Sequence, residues 1–196
     1  MRILLVGATG TIGKAILDVL QDRHEVVAVS RSSAPLHVDL GDPASIRSLF
    51  NQLGTLDAVV GAAGAARFKP FPLLKDEDYA FSLQNKLMGQ VNLIRYGIPA
   101  LSDAGSITVT TGLLAQQPMV GSAAVSLVNA ALEGFVRAAA LEAPRGIRIN
   151  AVSPPWVRVA DQSPGAPGMA GLSAHQVALA YRVLLEGDQT GQVVTP

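Results

Sequence analysis

Apolar residues along this chain fall into two alternating patterns. Short continuous runs at Arg2–Val6, Glu25–Val29, Leu36–Val38, Leu56–Val60, Ser106–Thr111, Arg148–Val152 and Gln192–Thr195 read as strands. Their apolar residues are contiguous rather than alternate, which predicts strands buried on both faces. Between them lie stretches with apolar residues three and four apart: Ile12–Leu20, Pro43–Leu53, about 76–101, about 121–141 and Ala174–Leu185. Pro43 is a favoured first-turn residue, and Gly105 introduces the fifth strand. Strand and helix in strict alternation predict an α/β fold, a doubly wound parallel sheet with helices on both faces. No repeat, low-complexity tract or linker interrupts it, so a single domain over residues 1–196 is expected. A Pro- and Gly-rich loop covers Ser163–Gly171.

Bulk properties narrow the function classes. A domain of 196 residues can bury a core without a staple, and the absence of cysteine excludes a disulfide framework, a Cys-based zinc site and a thiol nucleophile. Fifteen basic residues balance fifteen acidic ones, and no dense Lys/Arg run marks a nucleic-acid partner. No uninterrupted apolar stretch approaches the ~18–20 residues of a membrane span. The apolar opening run is too short for a signal peptide and leads into a glycine turn, so a cytoplasmic protein is expected. His24, His37 and His175 lie far apart at element starts, which predicts neither a metal site nor a Ser-His triad.

The turn Gly7-Ala8-Thr9-Gly10-Thr11-Ile12-Gly13 lies directly after the first strand and before an amphipathic helix. Glycines at this spacing let the backbone turn tightly, approach a pyrophosphate, and pack helix on strand. The helix N-terminus then presents free N–H groups to the phosphates. This is the Rossmann context for a dinucleotide. The second strand ends Ser30-Arg31-Ser32, where an Arg suits a 2′-phosphate and an acidic residue would suit a 2′-hydroxyl. NADP(H) is therefore favoured over NAD(H), the other reading of Arg31 being a solvated loop residue. Asp39, followed by Leu40, stands either near the adenine amino group or as a turn and capping residue.

The glycine turn, Asp39-Leu40, Ala62-Ala63-Gly64, Ile149-Asn150-Ala151-Val152-Ser153-Pro154 and Thr190-Gly191-Gln192 together resemble the short-chain dehydrogenase/reductase family. The resemblance runs from Arg2 to Val194, with Pro155 where the family has a glycine and a shorter segment following it. It implies a seven-stranded sheet in the order 3-2-1-4-5-6-7 with the cofactor across its C-terminal edge. Ala62, Ala63 and Gly64 would pack beside the adenosine ribose, and Val152, Ser153 and Pro154 beside the nicotinamide. It also implies a homodimer or homotetramer paired through the two long helices.

The family's chemistry uses a Tyr as acid/base and a Lys four residues later, whose ammonium also holds the nicotinamide ribose. The segment Ala130–Phe135 places Val125 and Asn129 at those positions. The four lysines, Lys14, Lys69, Lys75 and Lys86, follow Gly10, Ala65, Phe71 and Ser82 by four residues, so no Tyr-x-x-x-Lys exists anywhere. The chain is thus similar to an atypical subgroup of the family that lacks the catalytic pair. The family's Ser falls on Thr110-Thr111-Gly112 and its central-helix Asn on Lys86, with Asn85 expected ~100° away around the helix.

A valine cannot transfer a proton, which argues against the family's own route to carbonyl reduction. One reading is an oxidoreductase with a rearranged site, in which Lys86 serves as acid and Thr110 or Thr111 orients a carbonyl. Against it stand Lys86 as an anion partner or surface residue and the threonines as strand-end hydrogen-bonders. A second reading is a dinucleotide-binding sensor or partner-binding module without turnover. A third is an isomerase-, dehydratase- or lyase-like activity. Trp156 reads as a cleft wall or a loop anchor, and Tyr79, Tyr96 and Tyr181 as packing residues, with Tyr79 near enough to the central helix start to line a cleft. The substrate is not legible.

Overall fold

A computed structural model of the chain describes residues 1–32, 36–158 and 171–196. Most of the Pro/Gly-rich loop, and Ser33 beyond the second strand, lie outside the described residues. The elements follow the predicted alternation. Strand β1 (Arg2–Val6) leads to helix α1 (Thr11–Leu20), then β2 (Glu25–Ser30), β3 (Leu36–His37), α2 (Pro43–Gln52) and β4 (Leu56–Gly61). Helix α3 (Asp76–Ser82), α4 (Gly89–Gly97), β5 (Leu101–Thr110), α5 (Ala123–Glu142) and β6 (Arg148–Val152) come next. The chain closes with β7 (Val157–Arg158), β8 (Leu172–Ser173), α6 (Ala174–Glu186) and β9 (Val193–Val194).

Seven strands form one sheet in the order β3-β2-β1-β4-β5-β6-β9, with every pairing parallel. This is the doubly wound Rossmann arrangement with the expected strand order. The short β7 and β8 pair separately through Val157 with Leu172, a ribbon the sequence pattern did not predict.

Each inner strand feeds two cores because successive side chains point to opposite faces. Leu4 and Val6 of β1 join the core under α2, α4 and α5, with Ile46, Leu49, Leu93, Ile94, Leu132 and Val136. Ile3 and Leu5 join the other core, under α1 and α6, with Ile16, Leu20, Val177 and Leu184. Helix α5 is long and apolar enough by length and composition to cross a membrane, although Ser126, Asn129, Glu133 and Arg137 interrupt its apolar run. Here it lies against β6 and buries Leu132 and Val136 in the sheet's core.

The predicted helical stretch from about 76 to 101 is present without a gap over 76–100, but it is not uniformly α-helical. Between α3 and α4 the chain makes a π-helical turn over Leu83–Met88, and a short 3₁₀ turn over Ile98–Ala100 precedes β5. π-turns inside helices redirect side chains and recur at functional sites. Here three consecutive side chains reach two loops and the end of β5. Gln84 Nε2 donates to Gly41 O at 2.6 Å, Asn85 Oδ1 accepts from Ala65 N at 2.7 Å, and Lys86 Nζ donates to Thr110 O at 2.8 Å. Asn85 and Lys86 thus point apart, as expected of neighbours on a helix, toward Ala65 and toward the end of β5.

Thr110, expected to orient a carbonyl, is committed to the opposite face. Its Oγ1 lies 2.6 Å from Gly61 O and 2.6 Å from the Tyr181 hydroxyl. A carbonyl only accepts, so the Thr110 proton goes to Gly61 O and Tyr181 donates to Thr110. Burial among α1, α6 and the sheet holds the Tyr181 hydroxyl well above the ordinary phenol range. Tyr181→Phe is expected to cost about 1 kcal/mol, since Thr110 Oγ1 loses its donor. In a chain of this length that lowers the melting temperature by roughly 2–4 °C in a calorimetric scan. An unchanged or higher melting temperature would contradict the assignment of donor and acceptor.

Candidate functional site

The C-terminal ends of the central strands carry two cavities that share Gly64 as a common wall. The first, of about 360 Å³, lies over the glycine turn and between the ends of β1, β2 and β4. Its lining includes eleven of the fourteen predicted cofactor residues: Gly7, Thr9, Gly10, Ser30, Arg31, Ser32, Asp39, Leu40, Ala62, Ala63 and Gly64. Thr11, Ile12 and Gly13 do not line it; they form the first turn of α1 behind it. Asn85 and Ala65 line it as well, and neither was predicted.

The turn is shaped for a phosphate. Gly7 has φ +94°, a left-handed conformation that L side chains avoid, and its N–H donates to Val29 O at 2.7 Å. A Cβ on Gly10 would find only Gly7 O, at 3.4 Å, so this backbone stands bare toward the cavity. Helix α1 begins at Gly10 with no side-chain cap and no acidic residue in its first turn. Its leading N–H groups have no intrahelical acceptor and lie at the positive end of the helix dipole. These residues fit a pyrophosphate.

Arg31 and Ser32 are exposed at the rim beside buried Ser30. Asp39 makes the predicted turn and also lines the cavity. Its Oδ1 accepts from Gly41 N at 2.8 Å, an Asx turn, and its own N–H donates to Ser45 Oγ at 3.0 Å, while the residue still lines the cavity.

The second cavity, of about 250 Å³, lies beyond Gly64 and is walled by Leu113, Leu114, Val125, Pro154, Pro155 and Trp156. Trp156 is therefore a cavity wall; Tyr79 does not line this cavity or the first. Three polar side chains matter here. Lys86 is 9 % exposed, and burial pulls its ammonium from the ordinary 10.5 down to about 8. Thr111 lines the cavity, but its Oγ1 lies 3.2 Å from Glu133 Oε1 and 3.3 Å from Val152 O, so its proton is taken. Asn129 donates from Nδ2 to Gly112 O at 3.4 Å, and its buried Oδ1 has no partner among the described residues.

Glu133 escaped the sequence reading. Buried in α5, its carboxylate accepts from Thr111, from Ser153 Oγ at 3.2 Å and from Gln116 Nε2, with Arg137 3.6 Å away. It ties the ends of β5 and β6 to the turn that roofs the cavity. The one available signal was an acidic residue inside an Ala-rich helix, four residues before an Arg. No cluster of His, Asp or Glu suited to a metal exists among the described residues.

Known proteins share this architecture. The lin1944 protein of Listeria innocua superposes with a TM-score of 0.96 at 39% identity, over 100% of this chain and 98% of that one. A short chain dehydrogenase from Burkholderia cenocepacia J2315 in complex with NADP superposes at 0.89 over 99% and 95%; at 24% identity it attests the fold. The uncharacterized oxidoreductase C922.06 of Schizosaccharomyces pombe is 29% identical over 168 residues, 78% of this chain. The match spans only 65% of that relative's length. A family model described as enoyl-(acyl carrier protein) reductase matches residues 13–193. On that match and this fold, the chain belongs to the short-chain dehydrogenase/reductases.

Proposed function

We propose that residues 1–196 act as one Rossmann unit that binds NADP(H) across the two cavities and reduces a small carbonyl compound, with Lys86 handling the proton. The observation that carries this reading is the buried Lys86 ammonium, the one charged side chain among the described residues lining the second cavity. The bound cofactor supplies the hydride to the carbonyl carbon. Lys86 Nζ gives a proton to the carbonyl oxygen and is reprotonated from water at the cavity mouth. An amine brought down to about 8 is well matched to giving up a proton near neutral pH. Thr110 O orients the amine through the 2.8 Å bond, and the apolar walls Leu113, Leu114 and Trp156 exclude water from the reacting atoms.

At the other end, Arg31 would pair with the 2′-phosphate and the leading N–H groups of α1 with the pyrophosphate. Asn129, whose Oδ1 lacks a donor, would accept from a nicotinamide-ribose hydroxyl where the family uses its Lys. The NADP in the Burkholderia relative and the oxidoreductase name of the yeast relative support the reading. Assembly as a homodimer or homotetramer through α4 and α5 belongs to the same proposal.

Fluorescence titration with NADPH, followed by NADPH consumption over a panel of carbonyl compounds, tests the enzyme. Val125 and Asn129 at the usual catalytic positions favour the other reading, a dinucleotide sensor. That reading is upheld by tight binding with no turnover across the panel. Arg31→Ala is expected to weaken NADPH by roughly tenfold or more, the scale of a lost charge-assisted bond, and to leave NADH unchanged. Paired titrations decide it: equal effects on both nucleotides remove Arg31 from the phosphate site.

A further inference from the structure

Lys86 is a cation placed in a cavity where no described residue offers it an anion. Its Nζ has Thr110 O at 2.8 Å as its hydrogen-bond acceptor, and no Asp or Glu forms an ion pair with it among the described residues. The remaining described residues lining the cavity are neutral, and most of them are apolar. Carboxylates on neighbouring elements are already engaged. Asp78 of α3 is held by Lys69 at 2.9 Å and by Arg67, and Glu133 of α5 by Thr111, Ser153, Gln116 and Arg137. Neither of these carboxylates lines the cavity.

We propose that this uncompensated charge makes the site selective for the redox state of its cofactor, so that NADPH is bound more tightly than NADP⁺. The inference rests on the reading that the nicotinamide end lies in the second cavity, beside Pro154. The two forms differ by one positive charge on the nicotinamide ring and share their phosphates and adenosine, so the first cavity treats them alike. In the second cavity the oxidised ring meets a like charge that is fixed in place by the Thr110 carbonyl and the π-helical turn. The walls Leu113, Leu114, Val125 and Trp156 keep water from screening it. Like unit charges sharing a small cavity of effective dielectric ~20 repel by an amount worth on the order of tenfold or more in affinity.

The selectivity has a use under either functional reading. For a reductase, it loads the cofactor form that carries the hydride and speeds release of the spent form. For a sensor, it makes occupancy report the reduced fraction of the nucleotide pool.

The test is the ratio of dissociation constants for NADPH and NADP⁺, by fluorescence titration and calorimetry at neutral pH. It is measured on the wild-type protein, on Lys86→Met and on Lys86→Gln. The wild type is expected to prefer NADPH by roughly tenfold or more, and both variants to lose that preference, chiefly by gaining affinity for NADP⁺. Equal affinities in the wild type overturn the proposal, as does a preference for NADPH that both variants retain. Failure of either nucleotide to bind the wild type overturns the cofactor reading itself, an outcome distinct from binding without selectivity.

Discussion

Lys86→Met is expected to raise the melting temperature while reducing NADPH-dependent carbonyl reduction by roughly a hundredfold or more, the scale of a lost general acid. The gain in stability follows from the desolvation that brings the ammonium from 10.5 to about 8. Below pH 8 both folded and unfolded chains carry the proton, and the folded state bears the full cost of a buried charge. As pH rises through about 8 toward 10.5, the folded chain sheds the proton while the unfolded chain keeps it, and the cost fades. Methionine fills similar space without a charge, and Thr110 O keeps the Gln90 Nε2 donor at 2.7 Å. The stabilisation at neutral pH is on the order of 3 kcal/mol, some 5–10 °C in a calorimetric scan, and vanishes above pH ~10.5. The same titration governs the wild-type rate, since Lys86 must hold its proton to donate it: reduction falls as pH rises through about 8. A variant that melts lower, or that consumes NADPH normally, would remove Lys86 from the role assigned to it.

Gly13→Ala and Gly10→Ala are expected to fail in different ways. A Cβ on Gly13 would stand 1.9 Å from Gly7 O and 2.7 Å from Gly7 C, atoms that cannot yield. Gly7 is fixed by its bond to Val29 O at 2.7 Å and by Gly10 N, which donates to Gly7 O at 3.0 Å. Helix α1 must therefore back away from β1, taking Ile16 and Leu20 out of their core. Loss of about 3 kcal/mol or more is expected, the upper end of overpacking costs, with weakened NADPH binding as a consequence. A Cβ on Gly10 meets no such obstacle, and its φ of −74° suits any residue. Gly10→Ala is expected to melt like the wild type and to lose NADPH affinity, because its methyl occupies the bare backbone where a phosphate would approach. Thermal melts and NADPH titrations on the two variants check this. A stable Gly13→Ala, or a Gly10→Ala that binds normally, would contradict the roles assigned to the two glycines.

The fold was legible because its signals are local and repeated. Contiguous apolar strands, five helical periodicities and a glycine turn at the first crossover each constrain the same parallel sheet, and agreement among them leaves little choice of architecture. The first cavity was legible for a related reason. Gly7, Arg31, Asp39 and Ala62–Gly64 all follow strand ends, and a parallel sheet brings its strand ends to one edge. The second cavity was legible in its lining, where Lys86, Thr111, Val125, Asn129 and Pro154 meet as the resemblance implied, but not in its hydrogen bonding. Thr110 and Thr111 are adjacent, but no pattern told which hydroxyl would bond to Tyr181, 71 residues away, and which to Glu133. Asn85 and Lys86, neighbours on the π-helical turn, face different cavities, and no local pattern told that Asn85 would accept from Ala65 N, 20 residues away.

By itself, then, the sequence determined the alternation of buried strands and helices, the glycine turn after the first strand, the Arg that follows the second strand and the absence of a Tyr-x-x-x-Lys pair, while the strand order came with the family resemblance. Each of the first four depends on residue type and short spacing, which chain geometry translates directly. Only the tertiary structure decided that Lys86 is buried with no anion among the described residues, that Asn129 Oδ1 has no donor among them and that Glu133 gathers Thr111, Ser153, Gln116 and Arg137 around one carboxylate. Those facts depend on which distant surfaces come together and on how much water they exclude. A side chain's charge and hydrogen bonding answer to that enclosure, which no local pattern encodes.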